Sequence, residues 1–329
     1  MKRIISVFCV VVYTVFWLSS CKGNEGDMGA SEKEDYLKGN SYTLYMGVYQ
    51  DHDALEGKAK FSSTFAAIIC DKKGRIVDCV FDATEDNISI EDGAVLPKAD
   101  LRSKNEQGLE YSMKSASAIG KEWYEQARHF ADFLIGKTLD EADEVDGGEA
   151  ELMAGCTINI NGFKGAIEEA DDQENSVRFQ SALPPVAAIS VVNSSEGSKD
   201  AGDNSDGVVA MRSTYAAVAK SGSRIAAANI EETETKAYFD MEGEIKSLEK
   251  SEGKRDLGYS YGMRDASGIG LEWFEQVQNF EKYIVGLSSN EVAAINMNGD
   301  YSADDTLLAG CTIKITDFVK AVAKTANAT

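Results

Sequence analysis

The stretch Tyr111-Ser-Met-Lys-Ser-Ala-Ser-Ala-Ile-Gly-Lys-Glu-Trp-Tyr-Glu-Gln126 decides the fold, because the chain writes it twice. It returns as Tyr261-Gly-Met-Arg-Asp-Ala-Ser-Gly-Ile-Gly-Leu-Glu-Trp-Phe-Glu-Gln276. Farther along, Leu152-Met-Ala-Gly-Cys-Thr-Ile-Asn-Ile160 returns as Leu307-Leu-Ala-Gly-Cys-Thr-Ile-Lys-Ile315. Two copies of one unit let each residue be tested against its counterpart. They single out one threonine per copy, Thr157 and Thr312.

Working outward, the repeated stretch opens an amphipathic helix. Trp123, Ala127, Phe130 and Leu134 fall on one face, as do Trp273, Val277, Phe280 and Ile284. Gly136 and Gly286 stand where a glycine ends such a helix. Thr138 with Glu141, and Ser288 with Glu291, have the spacing of capping boxes for a short following helix. Upstream, Tyr42–Tyr49 alternates as a strand, and Ser62–Cys70 with Arg75–Phe81 reads as a hairpin around Lys73-Gly74. The second copy repeats that hairpin around Ser221-Gly-Ser223. Downstream, the Ala-Gly-Cys-Thr string reads as a strand leading into a closing helix, with Asn161 or Thr316 as candidate caps. Strands and helices are grouped, which predicts an α+β fold: two tandem units, each an antiparallel sheet with one long amphipathic helix and shorter helices.

The chain's 329 residues suffice for two cores of ordinary size. The first unit spans 42–170 and the second 186–326. Residues 171–185, acidic and ending in Pro184-Pro185, read as a linker. Asn193–Gly207 reads as a surface loop. The formal charge of −22 argues against a nucleic-acid partner, which needs clustered Lys and Arg, and against docking on anionic lipid by charge.

Residues 1–20 have the order of a signal peptide: Lys2 and Arg3, then an apolar run from Ile4 to Leu18 too short for a convincing span. Leu18-Ser-Ser-Cys21 resembles the lipobox of bacterial lipoproteins, which implies lipidation of Cys21 and a membrane anchor made of acyl chains. Residues 21–41 then form a polar tether. Of the remaining cysteines, Cys70, Cys79, Cys156 and Cys311, none has the spacing of a zinc site, so no metal is expected. Cys70 and Cys79 flank the first hairpin turn without standing opposite each other. A bridge between them would be private to the first unit, because Lys220 and Ala228 take their places in the second.

In Ala154-Gly155-Cys156-Thr157 and Ala309-Gly310-Cys311-Thr312, small residues put the hydroxyl on backbone that another molecule can approach. Such a hydroxyl suits an acceptor of a transferred group. Self-activated nucleophilic catalysis needs an adjacent base, and His52 and His129 have no counterpart in the second copy, so no catalytic residue is assigned. The competing reading is a tightly packed strand start with the cysteine as a small buried hydrophobe.

The string resembles the Ser-Gly-Ala-Thr motif of bacterial FMN-binding domains, found in flavin subunits of sodium-pumping and related redox complexes and in flavinylated extracellular lipoproteins. In that family a flavin transferase, using FAD and a divalent metal, attaches FMN to the threonine hydroxyl through its phosphate. The resemblance implies acceptors at Thr157 and Thr312, each preceded by Gly155-Cys156 or Gly310-Cys311. Glu151 matches the family's acidic residue six places before the acceptor, where the second copy has Thr306 with Asp305 beside it. Asn159 and Lys314 depart from the Ser or Thr usual two places after it.

A second shared constellation is Lys104, Tyr111 and Met113, matched by Lys254, Tyr261 and Met263. Tyr and Met can flank a flat ring, and Lys can meet phosphate. The alternative is a loop Tyr and Met plugging the core. The helical tryptophans read as core, and Glu125-Gln126 and Glu275-Gln276 as solvated or loop-facing. Together these residues imply a lipid-anchored, extracytoplasmic carrier on the cell or outer membrane, with one covalent FMN per unit. Its electrons would pass between a membrane redox complex and an external acceptor. The other classes left open are a lipoprotein binding a small ligand non-covalently and a structural surface lipoprotein.

Overall fold

A computed structural model of the chain describes residues 37–96, 98, 100–171 and 176–327. The signal peptide, Cys21 and most of the tether lie outside the described residues.

The first half runs β1 (Asn40–Gln50), β2 (Asp53–Leu55), β3 (Lys58–Asp71), β4 (Ile76–Glu91), β5 (Ala94–Leu96), α1 (Lys104–Gln107), α2 (Trp123–Leu134), α3 (Leu139–Asp143), α4 (Ala150–Met153) and α5 (Asn161–Ala170). After β6 (Val177–Ser181) the second half runs β7 (Val186–Ser194), β8 (Gly207–Ser221), β9 (Arg224–Phe239), β10 (Ile245–Glu249), α6 (Lys254–Leu257), α7 (Trp273–Ile284) and α8 (Ser289–Ala293). It closes with β11 (Met297–Asn298), β12 (Tyr301–Ser302), α9 (Asp305–Leu308) and α10 (Thr316–Lys324). The fold is α+β with antiparallel sheets. Strand order is β5-β4-β3-β1-β6 in the first, with β2 on β3, and β10-β9-β8-β7 in the second.

The two sheets pack face to face with helices on the outer sides. β3 shows why. Its Ala66, Ile68 and Cys70 face α2 and α5, while Phe65, Ala67 and Ile69 face the other sheet. In β8, Ala216 and Val218 face α7 and α10, while Tyr215, Ala217 and Ala219 meet the first sheet. A strand covered on both faces reads as a continuous apolar run rather than an alternation, as Phe65-Ala-Ala-Ile-Ile-Cys70 does. The Tyr215 ring lies 5.1 Å from that of Phe65, and its hydroxyl donates to Ser63 Oγ at 3.0 Å. That bond satisfies a polar group in a dry interface.

The helical expectations hold. Trp123, Ala127, Phe130 and Leu134 are buried on the first sheet, and their four counterparts on the second. Both capping boxes form, with Thr138 and Ser288 accepting from the N–H groups of Glu141 and Glu291. Gly136 and Gly286 take φ of 88° and 84°, and their N–H groups return to Ile76 O and Ile225 O, each at 2.8 Å. The stretch read as a linker contains β6, which pairs antiparallel with β1, Phe179 opposite Tyr42. Its alternation from Val177 to Ser181 carries a strand despite the acidic residues before it. Cys70 and Cys79 are free and buried, and pair with Ile76 and Ile68 rather than with each other.

Candidate functional site

The Ala-Gly-Cys-Thr strings form turns, not strands. Residues 154–160 connect α4 to α5, and their backbone bonds return to the preceding helix: the N–H groups of Gly155 and Cys156 both reach Leu152 O, at 3.0 and 2.8 Å. The second turn is the same, with Leu307 O accepting from Gly310 and Cys311 at 3.0 and 2.8 Å. No neighbouring strand is needed once those bonds close. The closing helices begin at Asn161 and Thr316, without the side-chain caps expected of those residues. Ile160 and Ile315 precede them and make no cap bond. Instead Asn159 Oδ1 receives the Asn161 N–H at 2.8 Å, and Thr316 bonds to Asp300.

The glycines are needed for a different approach from the one the sequence suggested. A Cβ on Gly155 would lie 2.3 Å from the His129 ring, and one on Gly310 would lie 2.8 Å from Asn279 Nδ2. The chain's own long helix presses on each turn. Cys156 and Cys311 behind them are buried in the two cores. Burial pushes the Cys311 thiol up to about 11 and raises Cys156 as well, where the Ile158 N–H and the Lys121 charge oppose the rise. Both thiols are therefore inert packing groups.

The threonines remain at the surface, Thr157 exposed and Thr312 half-buried. Each is held by a glutamine of the long helix. Gln126 Oε1 accepts the Thr157 N–H at 2.8 Å and its hydroxyl at 3.2 Å. Gln276 does the same for Thr312, again at 2.8 and 3.2 Å. Both glutamines are fully buried. Their Nε2 groups donate to Ser117 Oγ (3.1 Å) and Lys121 O (3.3 Å), or to Ser267 Oγ (3.0 Å) and Leu271 O (3.2 Å). So Gln126 and Gln276, read from sequence as solvated or loop-facing, are buried and face the loops, and they are the residues that organise the site. The signal was available: Ser117 and Gln126 are both kept in the second copy.

Lys104 Nζ sits 5.0 Å from the Tyr111 ring centre, 5.5 Å from that of Trp123 and 3.6 Å from Glu85. Lys254 lies 5.3 and 5.6 Å from Tyr261 and Trp273 and pairs with Glu232. Each cation is thus matched within its own half by cation–π contacts and a carboxylate. Tyr111, Met113 and Met263 are partly buried against the cores. The Met113 and Met263 N–H groups donate to Glu122 and Glu272, both at 2.8 Å. Those carboxylates also cap α2 and α7, so the loop and the threonine turn are tied to the same helix end, one through Glu122 and one through Gln126.

Two buried acids under α1 and α6 were not foreseen. Burial raises Asp82 to about 7, although Ser103 and the Asn105 and Ala83 N–H groups favour its charged form. Glu231, its counterpart, rises to about 8 through burial and the nearby Asp256 charge. Asp82 lines a cleft of about 970 Å³ between the two halves, with Lys121, Tyr124, Arg128, Ile189 and Lys324. Among the described residues no group of three His, Cys, Asp or Glu side chains could hold a metal ion. Nor is any helix among them long and apolar enough to cross a membrane.

No protein-family profile matches this chain, and no solved structure matches it. A chlorophenol reductase from Desulfitobacterium hafniense is similar, 30% identical over 121 residues, which is 31% of this chain and 37% of that protein. The chain therefore spans little more than a third of that relative's length.

Proposed function

We infer that the chain is a lipid-anchored, extracytoplasmic flavoprotein carrying FMN covalently on Thr157 and Thr312, and that it transfers electrons between a membrane redox system and an external acceptor. The observation that supports this most is the pair of matching threonines, one exposed and one half-buried, each on a turn braced by the same Gln–Ser pair. A threonine sealed in a core would exclude the reading; neither residue is. The residues present suit the group: the hydroxyl offers the attachment point, and Lys121, near Cys156, offers positive charge beside the first. Tyr111, Met113, Tyr261 and Met263 offer flat or polarizable surface close to the same helix ends.

When bound, the flavin supplies reversible two-electron chemistry that no side chain here can supply. The chain's part is attachment, positioning and a strongly acidic surround, which disfavours added negative charge on a nearby ring. Attachment prevents loss of the cofactor by dilution outside the cytoplasm. The partial likeness to a protein named as a reductase is in keeping with a redox role and carries no substrate across.

The test is expression of the chain with a flavin transferase. Flavin absorbance should stay with the chain after denaturation, and Thr157→Ala and Thr312→Ala should each remove about one flavin by intact mass. The 970 Å³ cleft between the halves favours a second reading, a small ligand held without a covalent bond. Colour present in the native protein and lost on denaturation would select it.

A further inference from the structure

We propose that Gln126 and Gln276 are positioning residues that aim the Thr157 and Thr312 oxygens for modification. This deepens the flavin-attachment reading and rests on it. A threonine hydroxyl has one proton and two lone pairs. In each half the proton points into the protein, toward the glutamine oxygen 3.2 Å away, and the same oxygen takes the threonine N–H at 2.8 Å. Backbone and side chain are thus fixed by one acceptor, so χ1 of the threonine is held and the bond to the glutamine uses neither lone pair of the hydroxyl.

The glutamine itself is locked. It is fully buried, and its Nε2 is committed to a serine hydroxyl and a loop carbonyl. Turning the amide over would set Nε2 against the threonine N–H and Oε1 against the Lys121 or Leu271 carbonyl, two buried repulsive contacts. A neutral amide oxygen orients the hydroxyl without removing its proton, so the chain acts as a substrate and does not modify itself. In the transfer, Thr157 Oγ1 forms a bond to the flavin-side phosphorus of FAD. The bond from that phosphorus to the bridging oxygen breaks and its electron pair leaves with AMP, while the hydroxyl proton leaves its hydrogen bond to Gln126 and passes to a base of the transferase as the new bond forms. Holding the oxygen in one orientation removes a rotational search from that step.

The duplication supplies its own control. The full-length chain would be incubated with FAD and a flavin transferase, and loading followed at each threonine by peptide mass. Gln126→Leu should slow loading of Thr157 by roughly tenfold or more while Thr312 in the same molecules loads at the unaltered rate. Gln276→Leu should do the reverse. Gln126→Glu keeps an oxygen acceptor and should recover most of the Thr157 rate. Hydrogen exchange of residues 154–160 separates aim from simple support. Equal opening of the turn in the Leu and Glu variants, with loading lost in both, would overturn the proposal. Thr157 loading at the unaltered rate in Gln126→Leu would overturn it too, leaving the flavin reading intact. An unaltered chain that loads neither threonine would remove both.

Discussion

Beneath α1 the first half buries Asp82, hydrogen-bonded by the Asn105 N–H at 3.0 Å, while Asn105 Nδ2 closes on Phe81 O at 2.9 Å. Beneath α6 the second half buries Glu231, bonded by the Arg255 N–H at 3.0 Å, and Arg255 closes on Ile230 O at 3.1 Å. The geometry is the same, but Arg255 brings a charge where Asn105 brings none. Glu281, in the place of Ala131, answers it as a buried ion pair. One scaffold therefore solves one position with a buried acid alone and with a buried acid beside an Arg255–Glu281 ion pair. The Gln–Ser brace of the threonine is the same in both halves, although Lys121 and His129 beside the first threonine give way to Leu271 and Asn279 beside the second; the burial of charge is where the halves diverged most.

Breaking that ion pair should produce the largest effect. Arg255→Leu leaves Glu281 buried without its cation and should cost about 3–5 kcal/mol in denaturant unfolding. Changing Arg255→Asn and Glu281→Ala together copies the first half and should recover most of that loss. A double variant no more stable than the single one would show that the ion pair is not separable from the acid beside it.

Next comes the pH dependence that both halves share. Asp82 stands at about 7 folded against 3.8 unperturbed, and Glu231 at about 8 against 4.5. A carboxyl with its folded value above its unfolded value binds its proton more tightly when folded. Stability therefore falls as pH rises through the window from 3.8 to about 7 for Asp82, and from 4.5 to about 8 for Glu231. The melting temperature should be higher at pH 5 than at pH 8. Asp82→Asn should flatten the lower part of the slope and Glu231→Gln extend the flattening toward pH 8. A melting temperature that climbs steadily from pH 5 to pH 8 would contradict this assignment.

The glycine turns should differ by a smaller amount. Gly155→Ala meets the His129 ring at 2.3 Å, and Gly310→Ala meets the end of Asn279 at 2.8 Å. Overpacking of this kind costs about 1–3 kcal/mol, the larger share at Gly155. His129→Ala should relieve most of the Gly155→Ala loss. Equal penalties at the two glycines, unrelieved by His129→Ala, would mean that backbone strain and not the helix contact excludes the side chain.

What the sequence could show follows from how local each cause is. Helix faces, caps and terminal glycines depend on spacings within one turn or two, and Trp123, Thr138 and Gly136 were legible. The Ala-Gly-Cys-Thr turn reads as a strand in sequence because Ile158 and Ile160 alternate like one, while the bonds that settle it go back to Leu152. Gln126 sits on the long helix beside polar Glu125, so its burial depends on Thr157, which approaches from 31 residues away. The sheet-to-sheet packing was hidden for a related reason. The unbroken apolar run of β3 announces two covered faces but not that the second cover is Tyr215 and its neighbours.

The smallest test concerns the two capping boxes, where cap and ion pair can be separated. Thr138→Ala and Ser288→Ala each remove one bond to a helix N-terminus and should cost about 1 kcal/mol alike. The carboxylate partners should not behave alike. Glu141 pairs with Arg75 at 2.7 Å in the open, the two side chains 52% and 48% exposed, and such pairs contribute little. Glu291 pairs with Arg224, whose side chain is only 10% exposed. Both glutamates also receive the N–H of their own cap residue, which a glutamine can still accept. Glu141→Gln should therefore be nearly neutral by thermal melting, whereas Glu291→Gln takes a carboxylate charge away from a largely buried guanidinium and should be clearly destabilising. Equal shifts for the two would place the whole effect in the cap and none in the burial of Arg224.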